Sequence, residues 1–79
     1  MVTVLRQHGL RVTIFVDDHE PAHVHVFGDG HAQINLLSDD GEPQLVWAVG
    51  MKHSEVRLAM RVVNGKQDFL QARRRHIHG

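Results

Sequence analysis

A chain of 79 residues with no cysteine has no disulfide, thiolate zinc site, iron–sulfur cluster or cysteine nucleophile, and its length predicts one domain, residues 1–79. No apolar run approaches the ~18 residues that span a membrane, and no basic segment followed by a long apolar stretch opens the chain, so a cytoplasmic protein that does not cross a membrane is expected. Nine basic and nine acidic residues cancel overall, but seven acids against Arg6 and Arg11 leave residues 1–50 at −5, and seven bases against Glu55 and Asp68 leave residues 51–79 at +5.

Val2-Thr3-Val4-Leu5 is short, apolar and β-branched, and reads as an edge strand; Gln7-His8-Gly9 reads as a turn. Residues 11–17 form a second strand, interrupted by Asp18-His19-Glu20-Pro21, where proline lacks a donor and holds the preceding residue extended. From Ala22 to Val26 the chain alternates, so Ala22, Val24 and Val26 face one way and His23 and His25 the other. Gly28-Asp29-Gly30 signals a tight connection to residues 31–37, where Ala32, Ile34 and Leu36 share a face. After the polar loop 38–43, Leu45-Val46-Trp47-Ala48-Val49 is a further strand, ended by Gly50.

The period then changes from two to 3.6. Ser54 is the expected N-cap, Val56, Ala59, Met60 and Val63 form an amphipathic stripe, and Asn64-Gly65 is a C-cap or hinge. A second helical stretch carries Phe69, Leu70 and Ala72 into the basic run Arg73-Arg74-Arg75-His76. Strands over about 2–49 followed by a helical region over about 54–76 predict an α+β fold: an antiparallel sheet of four to five short strands, with one bent or two C-terminal helices packed on one face. His23, His25, Gln33 and Asn35 then belong to the other face.

Eight histidines are the compositional oddity, and His19, His23, His25 and His31 fall within thirteen residues. Two histidines two apart on a strand stand ~6.5–7 Å apart at the backbone on one face, a spacing from which two imidazoles converge on one metal ion such as zinc. His19 is the expected third ligand, with Asp18, Glu20 and His31 as alternatives; the bland alternative is the polar side of a half-buried strand. Histidine is also the usual general acid or base near neutral pH, so His19, His23 and His25 are the catalytic candidates, with Arg6, Arg11 or the C-terminal arginines to hold phosphate. Neither serine lies in a nucleophile-elbow context, and Gly28-x-Gly30 does not continue into a phosphate-binding fingerprint. Arg57, Arg61, Arg73, Arg74 and Arg75 are the candidate contacts to nucleic acid or an acidic partner. Three of the four aromatics belong to apolar patterns, which gives no evident base-stacking platform, and Trp47 reads as core or dimer interface. A chain this short has a marginal core, so a homodimer is expected.

The run Asp18-His19-Glu20-Pro21-Ala22-His23-Val24-His25-Val26 resembles the Asp-His-x-Pro-Pro-His-x-His-Val signature of the small bacterial domain-of-unknown-function 4160 family. The similarity covers roughly residues 3–73, with the helical part matching at Gly50, Glu55, Val62-Val63 and Phe69-Leu70. It implies two strands flanking the signature, a hairpin and a C-terminal helix. It also implies a toxin–antitoxin component acting beside a cognate small protein, with His19, His23 and His25 as the residues of interest. Ala22 stands where the family has a second proline, and Arg73 where a tryptophan often lies.

Overall fold

The structure, a computed structural model, describes residues 2–14 and 22–78, with side chains as far as His76. Asp18, His19, Glu20 and Pro21 lie outside the described residues. Five strands, β1 Val2–Gln7, β2 Leu10–Ile14, β3 His23–Phe27, β4 His31–Asn35 and β5 Gln44–Val49, are followed by helices α1 His53–Gly65 and α2 Gln67–His78. The strands pair antiparallel in chain order, so β1 and β5 are the two edges of a five-stranded sheet. This is the α+β fold that the change of period predicts.

Burial follows the alternation. Leu10, Val12, Ile14, Val24, Val26, Ile34 and Leu36 pack with Ala59, Val62 and Val63 of α1 and Leu70 of α2 in one core. The helices therefore cover the face that carries the even-numbered residues of β2, β3 and β4. Each edge strand has a register shift, between Thr3 and Leu5 in β1 and opposite Gln33 and Ile34 in β5. A bulge at a sheet edge raises the local twist and blunts the row of unpaired backbone groups.

One detail differs from the sequence reading, and one that it left open, a bent helix or two, is decided. Ser54 is not the N-cap: Lys52 holds that place with φ −73° and ψ 157°, makes no side-chain capping bond, and its carbonyl accepts from the Val56 N–H at 2.9 Å. His53 is therefore already helical, and the first-turn carboxylate of Glu55 accepts from the Asp29 N–H at 2.9 Å. The helical region is two helices, because at Lys66 the backbone turns to φ −121°, ψ 22°. The Lys66 N–H closes on the Val63 carbonyl, and the Lys66 carbonyl accepts from Leu70 in the next helix.

Candidate functional site

Strand parity builds a second surface on the sheet face away from the helices. In register, Thr13 lies opposite His25, His25 opposite Gln33, Phe27 opposite both Arg11 and His31, and Gln33 opposite Trp47. None of the five strands contains Asp or Glu. The face therefore gathers Arg6, Arg11, three histidines, two large aromatics and the amides of Gln33 and Asn35, with no strand carboxylate among them.

The side chains form a continuous run of rings. The Arg11 guanidinium lies 5.0 Å from the Phe27 centroid, in reach of a cation–π contact. Phe27 stacks on His31 at 4.1 Å and 15°. His31 meets Trp47 edge-on at 4.7 Å and lies 5.1 Å from His25, which in turn meets His23 edge-on at 5.3 Å. The Trp47 indole N–H donates to the Gln33 side-chain oxygen at 3.2 Å.

His23 and His25 do share a face, as period two requires, but the tightest imidazole pair is a different one. His25 Nδ1 and His31 Nε2 approach to 2.9 Å, so one nitrogen carries the proton and the other supplies the lone pair. The pair spans the β3–β4 hairpin diagonally, and the direct neighbour of His31 is Phe27. His25 is buried (7% exposed), and the Thr13 hydroxyl beneath it donates to the His25 carbonyl at 3.3 Å. Among the described residues, no group of three His, Asp or Glu side chains is arranged to hold a metal ion.

Trp47 is not core: it is 36% exposed at the sheet edge. Phe27, which the sequence reading left unassigned to a face, lies on the histidine face opposite Arg11 and His31. Its odd number places it with His23 and His25, and following the alternation one residue further finds it. Two buried polar atoms on this face, Arg11 Nε and Asn35 Oδ1, have no hydrogen-bond partner among the described residues. Of the helical arginines, Arg57, Arg61, Arg73 and Arg75 are exposed and Arg74 is half-buried.

Two recesses are present, the first bordering this face at Asn35 and the second away from it. One, of about 450 Å³, is lined by Asn35, Leu37, Ser38, Asp39, Asp40 and Gln44. There the Ser38 hydroxyl, followed by the Glu42 N–H, holds the Asp40 carboxyl below its ordinary value. The other, of about 480 Å³, lies between the β1–β2 turn and the end of α1, at Gln7, His8, Leu58, Arg61, Val62, Gly65 and Lys66.

No helix among the described residues is long and apolar enough to cross a membrane. No curated protein and no solved structure matches the chain significantly. The sequence model of the family described as "Domain of unknown function (DUF4160)" matches residues 9–73. That span takes in all of β2 to α1, both histidine strands and the hairpin between them, and the chain belongs to this family.

Proposed function

We propose that the protein is an interaction module that binds single-stranded nucleic acid on the helix-free face of its sheet. The observation that carries the reading is the composition of that face. Two arginines, three histidines, Phe27 and Trp47 lie side by side on strands that contain no acidic residue. Sequence-tolerant binding of single strands uses this combination: cations follow the phosphates and planar rings stack on bases, each stacked base being worth ~1–3 kcal/mol. In a toxin–antitoxin pair, the role that the family resemblance implies, such a surface is suited to holding RNA or DNA beside a cognate small protein.

The test is binding of single-stranded RNA and DNA oligonucleotides at low salt, followed by fluorescence anisotropy. Trp47→Ala is expected to weaken binding by ~1–3 kcal/mol. Phe27→Ala is expected to weaken it by releasing the Arg11 and His31 side chains that pack on the ring, and affinity is expected to fall steeply with added salt. Unchanged affinity in both variants, with loss in a double Arg57→Gln/Arg61→Gln variant, moves the surface to the helices and ends this reading.

Two specific observations favour additional roles. The 2.9 Å His25–His31 contact holds one proton between two imidazoles, the equipment of a histidine-based ribonuclease acting on RNA bound to the same face. Strand β5 carries no charge and exposes Leu45, Val46, Trp47 and Val49, four of the six large exposed hydrophobics among the described residues. β1, the other edge, carries the exposed Arg6. An uncharged apolar edge invites a second copy, because antiparallel self-pairing about a twofold axis brings no like charges together.

A further inference from the structure

We infer that His25 and His31 form a two-imidazole site for a tetragonal divalent transition ion, Cu2+ or Ni2+, with His23 beside it. The inference does not depend on nucleic-acid binding. The sequence pointed to His23 and His25 with His19 as third ligand and His31 among the alternatives; in the structure it is His31 that meets His25, on two strands held in register by the ladder from His23↔Asn35 to Phe27↔His31.

The geometry carries the argument. With metal–nitrogen bonds of about 2.0–2.1 Å, two nitrogens 2.9 Å apart subtend about 90° at the ion. That is the cis angle of a square-planar or tetragonal site, the preference of Cu2+ and Ni2+ for nitrogen and oxygen ligands. A tetrahedral zinc site needs the same nitrogens about 3.3 Å apart, so zinc requires the strands or rings to open. Phe27 and Trp47 flank His31, and His23 packs against His25, so these contacts bound how far the two rings turn as an ion enters. Loading moves the proton between the two facing nitrogens to the other nitrogen of its ring, so that both imidazoles stay neutral. Both facing nitrogens then present lone pairs, and the rings turn from facing each other to facing the ion. The remaining positions on the ion are filled by water.

Trp47 makes the site readable, because it is the one tryptophan in the chain and its ring lies 4.7 Å from His31. The experiment titrates untagged protein with Cu2+, Ni2+ and Zn2+ separately while following Trp47 fluorescence. The expected result is saturable quenching by Cu2+ and Ni2+ at one ion per chain, with zinc weaker. His31→Ala is expected to weaken it at least about tenfold, the smallest cost usual for disturbing a metal's ligand shell. His25→Ala is expected to do the same, with circular dichroism confirming that each variant is folded. His53→Ala and His76→Ala, exposed and on the helices, are expected to leave it unchanged. Absence of quenching overturns the inference, as does quenching that survives in folded His31→Ala. Metal binding without oligonucleotide binding sustains this site and defeats the nucleic-acid reading; the reverse result does the opposite.

Discussion

At the scale of single residues, two glycines set how closely the elements around the histidine face approach. A Cβ on Gly30 would meet the Val49 carbonyl oxygen and the backbone of Gly50, so the start of β4 fits against the end of β5 only without a side chain. A Cβ on Gly28 would meet the Glu55 carboxylate and Leu10, where the hairpin touches α1. At Gly28 a flexible carboxylate has room to move, whereas at Gly30 the obstacle is backbone. Gly30→Ala is therefore expected to cost about 1–3 kcal/mol, the usual range for overpacking, measured by urea unfolding. It should also perturb the neighbouring His31 and its pair Val49. A cost below that range would mean that the β4–β5 junction is looser than described. Neither close approach is legible in the sequence, where Gly28-Asp29-Gly30 signals only a turn.

At the scale of elements, Leu70 and Gln67 anchor α2 among the described residues. Leu70 is its one buried residue among the described positions, while Phe69, next to it, is 43% exposed. Gln67 is a further anchor: its side-chain amide donates to the Leu36 carbonyl. Leu70→Ala should cost about 2–5 kcal/mol, as large-to-small core changes do, and release hydrogen-exchange protection in α2 before α1. Phe69→Ala should do neither. Equal effects of the two variants would contradict this account of how α2 docks. The core of the sheet was legible because Ala22–Val26 and residues 32–36 alternate without interruption, and the stripe of α1 because Ala59 and Val63 recur at helical spacing. The helix start was less legible. Ser54 has the right chemistry for a cap, but the chain enters helical geometry one residue before it, and nothing local to Ser54 encodes that.

At the scale of the whole molecule, the sheet separates two chemistries. One face buries aliphatic side chains under two helices; the other collects cations, imidazoles and aromatics. The sequence shows that His23 and His25 share a face. It does not show that His31 crosses the hairpin to His25, that Phe27 lies over Arg11, or that Trp47 stands at the rim, because those contacts depend on strand register. Self-pairing through β5 would join two such faces into one, since a twofold axis normal to the sheet keeps both helix layers on the same side. Analytical ultracentrifugation should then find a dimer at high micromolar concentration and a monomer for Val46→Lys. A monomer for both would remove the second copy. The central claim is that the helix-free face recognises single-stranded nucleic acid, and its most direct test is an amide and indole NMR titration with a single-stranded oligonucleotide. The predicted result is shifts concentrated at Arg11, Phe27, His31, Gln33 and the Trp47 indole. Shifts confined to Arg57, Arg61 and Arg73–Arg75, or no shifts at low salt, would contradict it.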